Sequence, residues 1–276
     1  MTVQVLFAVV GDRLTPSERR IAEVVAAVPT LLAFGTVSDL AERSDTSRPS
    51  IVRFATKLGF AGYTELQDWV RDGVSRQLSR PSARIRKATI EGDGTRIEIA
   101  DALQSVFDAL DDSKLRALAA PIASARRVYV FSGETSMAGA RALQSGLSMV
   151  RSDVVLVHEH SVGRDLSGAG EGDAAVGFDF ARYRRSAVNA ARTLADLGVR
   201  VIAITDGPLS PLAAVAHAWV ELRVPAVGPF DSSVPAVAAA ELLTARVAAE
   251  LGDAALKRID QLETIWQATG TFVQDD

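Results

Sequence analysis

Ser47, Arg48, Ser50, Arg53 and Lys57 stand within one short stretch of the chain, and all five carry hydrogen-bond donors. Hydroxyl, guanidinium and ammonium groups in a row suit an acceptor-rich target such as base edges and the phosphates beside them. Ser50, Arg53 and Lys57 follow at i, i+3 and i+7, which puts them on one stripe of a helix with Ser47 and Arg48 at its N-terminal tip. Ile51, Phe54, Ala55 and Leu58 form the opposite, apolar face at the same period. Such a stripe is either a surface that reads DNA or the solvated face of a helix in an ordinary bundle.

Three other groupings could do chemistry. Ser132-Gly133-Glu134-Thr135-Ser136 offers hydroxyls and a close-turning backbone, and a helix start behind it would add N–H groups able to hold an anion. The same composition also makes purely structural turns. Asp179-Phe180-Ala181-Arg182-Tyr183-Arg184-Arg185 concentrates three guanidinium groups around one carboxylate. Arginines here can grip an anion, accompany a ligand of another kind, or serve solvent and subunit contacts. His158 and His160 flank Glu159, an H-x-H pair with no third metal ligand at a suggestive spacing, so no metal site is expected. Glu134, Glu241 and His217 are candidate bases, but nothing in the sequence pairs them with a second group. No catalytic residues, no enzyme activity and no cofactor are assigned.

The elements around the donor stripe define a motif. Thr36 caps a first helix with Val37, Leu40 and Ala41 on its buried side, Ser44-Asp45-Thr46 makes a turn, and the Ser47 hydroxyl is placed to cap the second helix. Pro49 falls in the first turn of that helix, and Gly59 stops it as the C′ residue. Two short helices so joined are a helix-turn-helix, whose second helix enters the major groove N-terminus first. Thr15-Pro16-Ser17-Glu18 is a capping box that starts an earlier helix through Ile21, Val24, Val25 and Val28, ended by Pro29. Leu31, Leu32 and Phe34 fit a short further helix. After Gly62, a helix opening at Tyr63-Thr64 carries Leu66, Trp69, Val70, Val74 and Leu78. The expected unit is an all-α domain over 1–78, with the apolar run Val3–Val10 docked on it as a helix.

Residues 79–95 read as a linker, broken by Pro81 and carrying the basic cluster Arg84-Ile85-Arg86-Lys87. From Ile97 onward, strand-length apolar runs at 127–131, 154–157, 174–178, 199–205 and 219–224 alternate with helical stretches at 136–150, 184–197 and 211–216. That alternation predicts an α/β domain over 96–270, a parallel sheet sandwiched by helices. Two helices, 234–251 and 254–268, close it, and their Ala- and Leu-rich faces, with the surface of this domain, are the expected subunit interface. In open parallel sheets ligands bind at the carboxyl ends of the strands, which is where both polar loops fall.

Composition narrows the class. The net charge of −4 gives no global attraction to nucleic acid, but residues 1–90 carry +4 and residues 91–276 carry −8. The basic excess lies with the donor stripe. Absence of cysteine excludes disulfides and thiolate metal sites and fits a reducing cytosol. Val3–Val10 is too short to span a membrane, and Glu241 and Arg246 interrupt the Ala-rich stretch 234–251, so no membrane association is expected.

LTPSERRIAEVV, the turn after it and SIVRFATKLGFAGYTELQ resemble the N-terminal domain of the RpiR/MurR family of bacterial transcription regulators, and the remainder is similar to that family's SIS (sugar isomerase) domain. The resemblance implies a cytoplasmic homodimer or homotetramer that binds double-stranded operator DNA and senses a small anionic metabolite such as a sugar phosphate. The strand-end loops place the expected ligand site at Ser132, Thr135, Ser136, Asp179, Arg182 and Arg185. The hydroxyl-rich S-x-S-x-x-T loop of phosphosugar-binding SIS domains falls here on Asp179, Ala181 and Arg184, so the usual phosphate cradle is missing. A sugar-phosphate isomerase and a ligand-independent DNA-binding dimer are the alternatives.

Overall fold

A computed structural model of the chain describes residues 14–27, 31–32, 36–78, 92–208 and 210–273, with the backbone alone at 71–78 and 92–93. The expectations for Val3–Val10, Val28–Pro29, Phe34, the side chains of Val74 and Leu78 and the cluster 84–87 lie outside what is described. The chain divides into two compact units, 1–83 and 84–276.

In the first unit, α1 (Pro16–Ala27), α2 (Val37–Arg43), α3 (Arg48–Lys57) and α4 (Tyr63–Leu78) enclose a core of Ile21, Val25, Leu32, Leu40, Ile51, Phe54, Leu66 and Val70. The caps hold the ends. Thr15 and Glu18 exchange hydrogen bonds at the start of α1, and Thr36 and Asp39 do so at the start of α2. Asp45 turns the chain between α2 and α3 with a φ of 49°, and Arg20 of α1 donates to the carbonyls of Ser44 and Asp45. Gly59, at a φ of 95°, and Phe60 donate back to Thr56 and Ala55, the paired bonds of a Schellman stop.

The second unit opens with α5 (Gly92–Ala109) and α6 (Asp112–Ala123). Helix therefore begins inside the segment expected to be linker, at Gly92. Five strands follow: β1 (Val128–Ser132), β2 (Val154–Leu156), β3 (Ala174–Phe178), β4 (Arg200–Thr205) and β5 (Ala218–Glu221). They form one parallel sheet in the order β2-β1-β3-β4-β5. Helices α7 (Met137–Val150), α8 (Val162–Asp165) and α9 (Arg185–Asp196) make the first three crossovers. The fourth is a run of turns over 211–215, not the expected helix. The run begins at Pro211 and is only a few residues long, too short for a stable helix. An antiparallel ribbon of β6 (Ala226–Val227) and β7 (Phe230–Asp231), absent from the expected elements, leads into α10 (Val234–Leu251) and α11 (Asp253–Thr269).

Both faces of the sheet are covered, as a parallel sheet requires. Val128, Val130, Val176, Phe178, Ile202 and Ile204 pack with α6, α7 and α10 on one side. Tyr129, Phe131, Ala175, Val201 and Ala203 pack with α9 on the other. Helix α10 is thus a core helix, buried along Ala236, Ala239, Ala240, Leu243 and Val247, and not the open subunit face that its Ala-rich composition suggests. Exposed apolar side chains include Ile97 and Phe107 on α5 and Leu256, Ile259 and Ile265 on α11, while α10 exposes Val234 at its start.

Helices α7 and α10 approach closely because α7 carries glycine at the contact. A Cβ on Gly139 would come within 2.7 Å of the Ala236 Cβ and 3.0 Å of its backbone. One on Gly146 would meet the Thr244 side chain at 2.8 Å. Gly139→Ala should destabilise the second unit by about 1–3 kcal/mol, since backbone cannot yield. Gly146→Ala should be substantially rescued by Thr244→Ala. Urea denaturation of the four chains checks both statements, and an unchanged midpoint for Gly139→Ala would refute the packing account.

Candidate DNA-reading helix and ligand-sensing site

Helix α3 presents a face slightly rotated from the one its donors suggested. Arg48, Val52, Arg53 and Thr56 are exposed, whereas Ser50 and Lys57 are half-buried. Val52, at 43% exposure, had been passed over as an apolar residue in a polar stripe. Ser47 does not cap α3 with its side chain. Its hydroxyl lies 2.9 Å from that of Ser50, which accepts from the Arg53 guanidinium at 3.2 Å, so the tip carries a short polar chain. The Lys57 ammonium is bonded to Glu18 of α1 at 2.7 Å. Burial alone would raise the Glu18 carboxyl, but Lys57 and Thr15 bring it below the usual range. Lys57 therefore braces α3 against α1.

In the second unit, the carboxyl ends of β1, β3 and β4 bring the expected loops together. Ser132 ends β1, and Thr135 stands exposed in the tight turn before α7. Ser136 is 1% exposed and its hydroxyl has no partner. Arg182 and Arg185 are exposed, and Arg182 is held at a φ of 73°, a backbone conformation that non-glycine residues adopt only under local constraint. Arg184 forms an ion pair with Glu134, tying the β3 loop to the β1 loop and committing the carboxylate considered as a base.

Asp179 is the surprise. It is not on the surface of the site but 1% exposed, with its oxygens accepting the N–H groups of Arg184 (2.8 Å) and Phe180 (3.2 Å). Its carboxyl sits against Gly133, where a Cβ would come within 2.2 Å of Oδ1. Asp206, at the end of β4, accepts from the Tyr183 hydroxyl (2.5 Å) and the Ala181 N–H (2.9 Å). The Thr205 hydroxyl lies 2.7 Å from the Asp179 carbonyl and 2.6 Å from Ser210 Oγ, closing the network. Among the described residues no cation pairs with Asp179 or Asp206. Burial therefore dominates and pushes Asp179 up to about 7 against its two N–H bonds, with Asp206 adding to the rise. Burial raises Asp206 and Glu221 as well. At the other end of β3, Asp173 is also fully buried, yet the Arg126 guanidinium at 3.0 Å brings it below the usual range in spite of that burial.

Sequence reasoning placed the loops but missed Tyr183 and Asp206 as their supports. Their signal was positional: each follows or ends a strand at the same edge of the sheet. The histidines gather no site. His158 leans on Asp165 (Nδ1 to Oδ2 3.7 Å), its ring is 5.5 Å from that of His160, and His217 is exposed after the turns. Among the described residues no three His, Asp or Glu side chains are grouped to hold a metal, and no helix is long and apolar enough to cross a membrane.

A helix-turn-helix unit joined to a parallel α/β unit with a polar strand-end site is the build of a ligand-responsive transcriptional regulator. Within that class, the chain belongs to the RpiR-type regulators: residues 6–77 match the helix-turn-helix domain of the rpiR family, and residues 121–246 match the SIS domain. An HTH-type transcriptional regulator of Caldanaerobacter subterraneus is 27% identical over 85% of this chain and 81% of its own. Two solved structures share the fold. Vibrio vulnificus NanR, complexed with ManNAc-6P, is 16% identical with a TM-score of 0.56, covering 96% of this chain and 97% of its own. The sugar isomerase domain of an RpiR transcription factor from Sphaerobacter thermophilus is 23% identical with a TM-score of 0.57, covering 63% and 98%.

The raised Asp179 carboxyl has a consequence for stability. Between the unfolded value of 3.8 and about 7, the folded chain keeps a proton that the unfolded chain has lost, so stability falls as pH rises through that window. The slope approaches about 1.4 kcal/mol per pH unit at most. Asp179→Asn removes this term and should gain stability relative to the parent as pH rises from about 5 to about 8. Melting temperatures across that range test it, and parallel curves for the two chains would contradict a raised carboxyl.

Proposed function

We propose that the chain binds operator DNA through the N-terminal half of α3 and responds to a small metabolite held at the carboxyl ends of β1 and β3. The observation that carries the first half is the exposed face of α3. Arg48 and Arg53 project beside Val52 and Thr56, while Ile51 and Phe54 are locked into the core behind them. Guanidinium groups read guanine bidentately and an apolar side chain reads a thymine methyl, so this face has the means for direct readout. Ser47 and Ser50 position Arg53 and offer further hydroxyls. Lys57 contributes to a phosphate contact only on leaving Glu18.

On the sensing side, Ser132, Thr135 and the unpartnered Ser136 form one wall and Arg182 and Arg185 the other. The ligand class to test first is a sugar derivative, phosphorylated or acidic, given the ManNAc-6P bound to NanR. The chain acts without catalysing: Glu134 is bonded to Arg184, and His158 leans on Asp165. A homodimer, or a homotetramer, supplies the paired reading heads that half-site recognition needs. Exposed α5 and α11 are its proposed contact faces.

Duplexes enriched from a random pool provide the operator. Arg53→Ala should weaken operator binding by about 1–3 kcal/mol at fixed salt. Lys57→Ala should weaken it less, while lowering the melting temperature through loss of the Glu18 pair. Operator affinity unchanged in Arg53→Ala would remove α3 from this role. For the sensing half, the double variant Ser132→Ala/Arg182→Ala should bind operator normally and lose its effector response. A full response in that variant places the effector elsewhere.

A further inference from the structure

The loop after β3 contains its own anions. The N–H groups of Phe180 and Arg184 donate to the Asp179 carboxylate, and the N–H of Ala181 donates to Asp206. Loop N–H groups converging ahead of a helix are an ordinary receptor for phosphate or carboxylate. Here all three are already bonded to side-chain oxygens of the same chain. The Asp179 carboxylate also fills the space against Gly133, between the β1 and β3 loops. Arg184, the one arginine whose backbone belongs to this cluster, has its guanidinium turned to Glu134. The loop is thus closed to a second anion by occupancy, by space and by charge.

We infer that Asp179 is a specificity-determining residue of this sheet edge, an internal anion in the place of a phosphate, so that a ligand docks here through hydroxyl groups and not through a phosphate ester. This rests on the reading of the β1/β3 edge as the sensing site. Two negative charges a few ångströms apart in a partly dry site repel strongly, whereas a hydroxyl is indifferent to the carboxylate or donates to it. The buried, unpartnered hydroxyl of Ser136 in the adjoining turn is the complementary feature, a neutral group that a ligand hydroxyl satisfies without adding charge. An acidic group on the ligand points away from this floor, toward the exposed Arg182 and Arg185.

The test compares three full-length chains, unaltered, Asp179→Ser and Asp179→Asn, by calorimetric titration with inorganic phosphate at about pH 8, above the value of about 7 to which Asp179 is raised, so that its carboxyl is ionised. Asp179→Ser frees both N–H groups and the space, and should bind phosphate about tenfold more tightly than the unaltered chain, or better. Asp179→Asn removes the charge but keeps the bulk, and should show a smaller gain. Phosphate held by the basic face of α3 contributes equally to all three, so the difference is what is read. Equal affinities in three folded chains overturn the inference. If circular dichroism shows Asp179→Ser unfolded, Asp179→Asn decides: a gain supports the inference and none refutes it. Failure of the sensing-site reading shows separately, as an unimpaired effector response in the Ser132→Ala/Arg182→Ala variant, and leaves the phosphate comparison unaffected.

Discussion

The second unit turns on two carboxyls, buried Asp179 and half-buried Asp206, with no cationic partner among the described residues. Asp179 and Asp206 hold the 179–185 loop by its own N–H groups and by Tyr183, and Thr205 links the two strand ends beneath them. A buried acid without a cation is costly, and it persists only where hydrogen bonds over-determine its position. That over-determination is what keeps Arg182 in the left-handed region, with its side chain presented outward. Arg126 and Asp173 show the alternative at the opposite end of the same strand, where a guanidinium stabilises the charge and the group is structural. One strand therefore carries a cheap carboxylate at its base and an expensive one at its functional edge.

Much of the fold was legible because its signals are local. Capping boxes at Thr15 and Thr36, the left-handed stop at Gly59 and the five apolar runs each declare themselves within a few residues, and each has its counterpart in the structure. Failures came where local and tertiary signals diverge. Ala-rich α10 looked like a subunit face, but small residues there let α7 approach through Gly139 and Gly146. The turns at 211–215 have helical composition and too little length. Lys57 lay on the donor stripe by spacing, yet its Glu18 partner lies far back in the sequence. The site was half legible: the loops could be placed by the strand-end rule, but burial of Asp179 depends on the absent side chain of Gly133 and on Asp206 from another strand. Neither is written in the 179–185 segment itself.

In the first unit the same economy of contacts makes a rigid reading head. Arg20 ties α1 to the turn between α2 and α3, Glu18 ties it to the far end of α3, and the Schellman stop fixes where α3 ends. Two charged side chains near the start of α1 thus set the orientation of α3 relative to α2. Rigidity matters because bidentate base contacts tolerate little angular error, and a preformed helix loses less freedom on binding.

Charge distribution decides how such a head must work. The first ninety residues carry only +4, and the remainder carries −8, so the chain as a whole gains little from the phosphate backbone at a distance. With Lys57 held by Glu18, the exposed cations on α3 are Arg48 and Arg53. Few phosphate contacts mean a shallow dependence of affinity on salt and weak non-specific binding. Discrimination must then come from the base-facing groups themselves and from doubling them across a two-fold axis. A head of this kind is poorly suited to holding DNA as a monomer. In the dimer proposed above, affinity would depend on how the two copies are spaced, which would give a ligand in the second unit a lever: a difference of about 1–3 kcal/mol between two subunit arrangements is enough to switch occupancy.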